Sequence, residues 1–392
     1  MSESYLLKGA HVVNPAETYE ADVRVSNGVI QAIGLGLREQ RGDRVLDCSG
    51  LVLSPGLINA HDHLQFNLYS RIGTPPYANA YEWGKDILTN FRHVVDPIER
   101  IPLRQRLLWG ACKNLFSGIT YVVHHDPLSL QFRWRFPIGV LRRFTFAHSI
   151  GNEPALRERL KERQPNVPFI IHLAEGTDER SGKEVQTLNQ LGGLDERTVA
   201  VHAIKINDDD IATLAAANSA VVWCPASNLF LFGVSAPVVK LMGRVPVALG
   251  TDSTLTGSIS LFDEMRCARN QTTFTSQQVF QMVTENPRRI FHLPTHAGHL
   301  AENQPADLFL VLSRESDPYQ SVVSAEPEHI MLLMRNGRLV FYDAARFGYS
   351  LGSRGDCIFL GARRKQILDG RCLSLYTILK PYLAHYDYLH EN

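Results

Sequence analysis

Between residues 54 and 299 one pattern recurs: a short apolar, β-rich run ends in polar residues and gives way to a stretch with helical spacing. ITYVVHHD (119–126) follows the helix-like RLLWGACKNLFSG. FIIHLAE (169–175) precedes GKEVQTLNQLG, and TVAVHAI (198–204) precedes DDDIATLAAAN. AVVWCPAS (220–227) precedes a segment ending near Met242, and VPVALGTDS (245–253) precedes a helical region running to Phe291. Parallel strands need a crossover to bring the chain back, so this alternation predicts a parallel sheet. Near-continuous apolar strands need cover on both faces. The span is close to the ~250 residues of a (β/α)₈ barrel, a fold in which chemistry sits where the strands end. The polar residues here cluster at those ends.

The flanks have a different texture. YLLKGAHVVNP, ADVRVSNGVIQAIG and RVLDCSGLVLSPG read as strands, as do ADLFLVL (306–312) and HIMLLMRNGRLVFY (329–342). Ser26-Asn27-Gly28 and Arg335-Asn336-Gly337 supply hairpin turns. The reading is a small β-sandwich built from 1–53 plus 300–345, a barrel over 54–299 and a C-terminal helical extension over 346–392. In that extension LYTILKPYLAHYDYLHEN forms an amphipathic helix anchored by Tyr376, Tyr382 and Tyr386, placed to cap the barrel or meet a partner subunit. Between His125 and His172 the chain offers one strand, IGVLRRFTFAHSI (138–150), and one helix, EPALRERLKER (153–163). Two full units would not fit, since each crossover takes at least about 10–12 residues besides its strands. The fold expected is an α/β TIM-type (β/α)₈ metal-dependent barrel, complete or one unit short.

Forty basic residues balance forty acidic ones, which leaves no electrostatic footprint for nucleic acid or an anionic membrane. The first residues lack the basic-then-apolar order of a signal peptide, and no apolar run approaches the ~20 residues needed to span a bilayer. Six scattered cysteines without a CxxC argue against a disulfide framework and a zinc knuckle, and for a reducing cytoplasm. The partners expected are a small-molecule substrate and further copies of the chain.

The sharpest local signal is PGLINAHDH (55–63). Side chains alternate along a strand, so His61 and His63 share one side, where two neutral imidazoles suit a divalent transition metal. Alone, such a pair is commonplace. Three further strand ends carry His172 with Glu175, His202 and Asp252. Singly, His172 and His202 read as core histidines and Glu175 as a loop acid; four strand ends carrying such groups in this order do not.

Together these segments resemble the amidohydrolase superfamily. PGLINAHDH resembles its first-strand motif and LGTDS its last-strand motif. HLAE (172–175) and CPASN (224–228) resemble the branch containing cytosine, guanine and adenosylhomocysteine deaminases. The resemblance covers about residues 5–342. It implies that His61, His63, His172 and Asp252 bind one divalent metal per chain, Zn²⁺ first and Fe²⁺ or Mn²⁺ also suited. It implies that Asp252 takes a proton from the attacking water, that Glu175 shuttles it to the leaving group, and that His202 orients the substrate. No lysine stands where a bridging carbamate would hold a second metal. Glu82-Trp83 resembles a dipeptide covering the substrate in that branch, against a packing role for Trp83. Arg143-Phe144 resembles a pair gripping the base, against an exposed charge beside a core aromatic. Gln65, Arg71 and His125 are further candidates for the pocket, His125 against a structural role at the end of its strand.

A bound Zn²⁺ lowers the pKa of its water to about 7. The reading is therefore deamination of a small amino-substituted nitrogen heterocycle by metal-bound hydroxide. Two alternatives stay open: amide or imidazolone ring opening, or other C–N or C–Cl hydrolysis at the same site; and a catalytically silent barrel serving binding or assembly.

Overall fold

The computed structural model describes residues 3–133, 135–351, 356–368 and 370–390. Its centre is a set of buried parallel strands in chain order: Leu57–Asp62, Ile119–His124, Gly139–Val140, Thr145–Ser149, Phe169–Leu173, Thr198–His202, Ala220–Trp223 and Val247–Leu249. The first three pair as one sheet and the last five as another. Each apolar run named above forms one of these strands. Helices such as Leu103–Leu115, Glu184–Gln190 and Asp208–Ala216 lie between them. The last of these starts at a capping box in which Asn207 and Asp210 satisfy each other's backbone N–H groups.

The shortened middle has a definite form. Leu141 N–H still donates to Val122 O of the second strand, whereas Thr145 N–H already donates to Pro168 O beside Phe169. The residues 141–144 reach at most about 14 Å, too little for a helix and a return. One broken strand therefore serves both neighbours, hydrogen-bonded to Ile119–His124 at its start and to Phe169–Leu173 at its end. One helix of the outer ring is missing there. At the opposite seam Met282 O and Val283 O accept from Leu249 and Ile58, and Asp252 N–H donates to His61 O at 3.0 Å. The first and last strands are thus tied at the end that carries the histidines. Gly250 makes this approach possible, because a Cβ there would lie 2.6 Å from His61 Cβ.

Strands from both flanks hydrogen-bond into one eleven-stranded sheet. Leu51–Pro55 is its joint, parallel to Ser4–Val13 on one side and antiparallel to Leu308–Leu312 on the other. Tyr5, Leu7, Val23, Leu53, Leu308 and Leu332 gather in one apolar cluster on it. Both expected hairpin turns form, with φ of 54° and 85° at Asn27-Gly28 and 49° and 66° at Asn336-Gly337. Two successive positive φ values are the type I′ signature.

The last segment departs from the helical extension expected over 346–392. It contributes the strands Asp356–Leu360 and Arg363–Ile367, which extend the large sheet, as well as the helix Gly370–Leu379. Arg363 and Lys365 direct alternate side chains to Asp343, so this hairpin is held by buried charge that an apolar-pattern reading overlooks. Tyr376 and Tyr386 are buried as anchors; Tyr386 packs edge-on against Trp109 and donates to Asn67 O at 2.6 Å. The final two residues of the expected helix lie outside the described residues. Cysteine usage also misled: Cys112, on Leu103–Leu115, and Cys372, on Gly370–Leu379, form a disulfide across 260 residues. Pairing at that separation leaves no local motif to read. Among the described residues no helix is long and apolar enough to cross a membrane.

Candidate metal centre and cavity

The strand ends converge. His61 and His63 project from the end of Leu57–Asp62, and the rings of His61 and His172 meet at right angles with Nε2 atoms 3.3 Å apart. Asp252 Oδ1 stands 3.8 Å from His61 Nε2 and 3.9 Å from His63 Nε2. His202 Nε2 faces Glu175 Oε1 at 3.5 Å. His61, His63, His172, His202 and Asp252 are all buried.

Each group is held from behind. His63 Nδ1 bonds Asp126 Oδ2 at 2.6 Å, His172 Nδ1 donates to His148 O at 2.8 Å, and His202 Nδ1 donates to Asn228 Oδ1 at 2.8 Å. Such outer partners fix ring orientation and tautomer. Asp252 accepts from Ser227 Oγ, Thr256 Oγ1 and its neighbour's Ser253 N–H. Beneath the centre, Asn59 donates to Thr251 Oγ1 and Asn114 Oδ1, while Asp62 accepts from Asn114 and Asn67 and pairs with the fully buried Lys113. This closed network fixes the strand carrying both histidines against the one carrying Asp252. Non-glycine residues in the left-handed region cluster here: Ala174 (φ 54°), His202 (74°), Ala203 (49°) and Asp252 (54°). Strained backbone of this kind persists only where the surroundings impose it, and it collects at functional sites.

Electrostatics follow the geometry. Burial and neighbouring rings push His61 and His172 well below the ordinary histidine range, the unprotonated state that ligation requires. For His63 burial acts downward, but the Asp126 carboxylate outweighs it and lifts the ring to about 9. Burial raises Asp252, yet His63, His202 and its hydroxyl donors hold it below the usual carboxylate value. Glu175 is driven well above it by burial first, then by Asp252 and Glu184. Two carboxyls with opposed shifts in one cavity are suited to opposite proton roles.

The residues fit a divalent metal. His61 Nδ1 is buried with no hydrogen-bond partner, and two imidazole Nε2 atoms confront each other at 3.3 Å. Imidazole nitrogens and a carboxylate around one point are the donor set of zinc and its neighbours.

A cavity of about 440 Å³ opens above them. His63, His172, Glu175, His202 and Asp252 form its inner end; Phe66, Tyr69, Trp83, Ile87, Val95 and Leu255 form much of its apolar wall. The helix Ala80–Asn90 roofs it, contributing Tyr81 and Trp83. Trp83 therefore faces the cavity, its Nε1–H bound to Ile72 O. The other expected substrate contacts fare differently. Glu82 turns back to accept from Ala78 N–H at the helix start. Gln65 donates to Asp126, supporting His63 from outside the cavity. Arg143 is exposed, and the half-buried Phe144 packs on Phe146 against the apolar cluster around Ile58, Val123 and Ile170, so neither lines it. Arg71 lines a separate cavity and donates to Gly257 O. His125 sits among the imidazoles and not on the cavity wall. Sequence reasoning missed Tyr81, Glu184, Asn228 and the pairing of Asp126 with His63. Only the position of Asp126 at a strand end hinted at its part.

A barrel of parallel strands with imidazoles and carboxylates gathered at their ends defines a metal-dependent hydrolase. A model of the amidohydrolase family matches residues 152–340. The chain is 32% identical to the 5-methylthioadenosine/S-adenosylhomocysteine deaminase of Pyrococcus abyssi, over 88% of this chain and 95% of that one. It is 27% identical to the enzyme of the same name from Pyrococcus furiosus, over 82% and 91% respectively. This chain belongs to the amidohydrolase family. In fold it superposes on a zinc-bound adenosine deaminase from Xanthomonas campestris with a TM-score of 0.74 at 18% identity, covering 98% of each chain.

Proposed function

We propose that this protein is a hydrolytic deaminase of a small amino-substituted nitrogen heterocycle, and that its substrate is a nucleoside whose far end is apolar. The observation that carries the reading is the convergence of His61, His63, His172 and Asp252, the last three of which line the inner end of one cavity with Glu175 and His202. The deaminases to which the chain is similar support the reaction class. A divalent metal at His61, His63, His172 and Asp252, zinc first, would supply a water acidified toward neutrality.

The chain's own groups account for the rest. Asp252, held below the usual carboxylate value by His63, His202 and its hydroxyl donors, takes the proton of the attacking water. Glu175, kept protonated by burial, gives a proton to the departing nitrogen; general acid–base transfer of this kind is worth about 10²–10⁴-fold. His202, its Nδ1–H committed to Asn228, presents Nε2 beside Glu175 and orients the heterocycle. The volume of about 440 Å³ lies within the ~300–1,000 Å³ of small-molecule sites. Its wall of Phe66, Tyr69, Ile87, Val95 and Leu255, beside Lys85, Glu99 and Asn152, favours an apolar substituent on the outer part of the substrate.

The test is ammonia release by metal-replete protein from adenine nucleosides bearing 5′-hydroxyl, 5′-methylthio or charged 5′ groups, beside free purines, pterins and triazines. Turnover is expected for the nucleosides, with the methylthio compound preferred. Preference for free bases or charged nucleosides would reject the assigned substrate class, and silence across the panel would reject deamination.

A further inference from the structure

Beside the broken strand, a cavity of about 300 Å³ opens between the barrel and the large sheet. Arg133, Arg135 and Arg142 line it from the barrel side, and Arg335 from the end of the strand Ile330–Arg335. Among the described residues that line it there is no aspartate or glutamate. It shares no residue with the cavity above the metal centre. The Tyr121 ring joins the lining and lies directly on the backbone of Gly139, where a Cβ would collide with it.

Four guanidiniums around one small space repel one another. Elsewhere in the chain close arginines share a carboxylate, as Arg163 and Arg197 do with Asp195. Among the described residues, none of these four makes an ion pair. Arg335 is the telling member. It is half-buried, and its Nη1 donates to Phe136 O at 2.9 Å and Pro137 O at 2.8 Å. Its Nε is buried with no partner. That N–H can only donate, so a buried one without an acceptor is an unmet demand. Burial holds Arg335 below the ordinary arginine range; Asp307 and the Tyr121 phenol act upward, and the facing Arg142 and Arg371 downward. Asp307 is engaged elsewhere, accepting from Asn336 N–H and facing His296.

The group that answers this demand is negative and carries several acceptor oxygens. Guanidinium forks match phosphate and carboxylate geometry, and a concave site strengthens the attraction. Four cations favour a dianion over a single carboxylate. The volume is at the low end of the ~300–1,000 Å³ of small-molecule sites, so it suits a phosphate group with little attached. We propose that Arg133, Arg135, Arg142 and Arg335 form a binding site for a phosphate-type dianion, free or as a small monoester, at the junction of barrel and sheet. The proposal does not depend on the deaminase reading.

The test is isothermal titration of the full-length protein with inorganic phosphate, in chloride buffer at fixed ionic strength. Saturable binding of one phosphate per chain is expected at this site. Arg142→Gln should weaken it about tenfold or more, as loss of a hydrogen bond to a charged group allows. That variant also gives up the bond from Arg142 Nη2 to Phe132 O. Arg133→Gln, whose side chain makes no hydrogen bond among the described residues, keeps the test open if Arg142→Gln does not fold, and should weaken binding in the same direction. Arg244→Gln, an exposed arginine outside the cavity, should bind as the native protein does. No saturable binding would overturn the proposal. So would native affinity in both cavity variants, the result expected if phosphate went only to a metal at the histidines. Equal weakening in Arg244→Gln would mean a general charge effect and would overturn it too. Methyl phosphate separates the sources: binding at least as tight as inorganic phosphate supports the site as one for a monoester, and weaker binding supports it as one for the free ion.

Discussion

At the scale of single residues, the divisions of labour are sharp enough to test. Glu175→Gln removes the proposed proton carrier and leaves the proposed donor set intact, so metal content is expected to stay at the native level while turnover drops about 10²–10⁴-fold. Near-native turnover would make Glu175 a bystander. His172→Ala removes a proposed ligand, and metal analysis after gel filtration should find the ion lost; full occupancy would contradict the assignment. Gly250→Ala changes no chemical group, yet its methyl would lie 2.6 Å from His61 Cβ and 2.7 Å from His61 N. It is expected to displace His61, with weaker metal binding and a lower melting temperature. Native values for both would mean that the seam between first and last strands yields easily. These residues were legible in the sequence to different degrees. His61, His63, His172, His202 and Asp252 sit at strand ends, where the period of two and the end of an apolar run mark them. Asp126 against His63, and Asn228 against His202, are separated by 63 and 26 residues and meet only because their strands lie side by side in the fold.

At the scale of elements, the helix Ala80–Asn90 is fastened to the turn that carries Glu175. Ala80 N–H donates to Glu175 O, Thr177 N–H donates to Ala78 O, and Asn79 donates to Asp178. Glu184 bridges the two, accepting from Ala174 N–H at 2.7 Å and from Tyr81 Oη at 2.8 Å. The roof of the cavity and the turn of Glu175, the proposed proton carrier, are therefore one mechanical unit. Tyr81→Phe should loosen that unit: faster amide exchange over 174–177, with kcat reduced by up to about fivefold, as the ~1 kcal/mol of one hydrogen bond allows. Unchanged exchange at 174–177 would show that Glu184 holds the turn without help. The element-level reading found the strands and most helices, because buried parallel strands are apolar throughout. It missed the hairpin Asp356–Ile367, whose polar sequence is held by Asp343. It also read the broken strand as one segment, since nothing local marks where a strand changes neighbours.

At the scale of the whole molecule, the disulfide Cys112–Cys372 binds the last helix to a barrel helix. Closing so long a loop constrains the unfolded chain, by up to ~5 kcal/mol in the entropic account. The melting temperature of the oxidised protein should fall by several degrees on reduction, or in Cys372→Ser. Identical melts with and without reductant would mean that the bond does not form under the conditions used. The balance of charge, read first from composition, carries no such information; it says nothing of how the ends of the chain are tied together.

The joint of the large sheet sets a condition on how the protein is made. Leu51–Pro55 must wait for Leu308–Leu312, which leaves the ribosome some 257 residues later. At ~5–20 residues per second that interval is roughly 10–50 s. Throughout it, the newborn chain carries an unpaired β edge next to the strand of His61 and His63, a natural landing place for a chaperone and a hazard for translation that pauses too long.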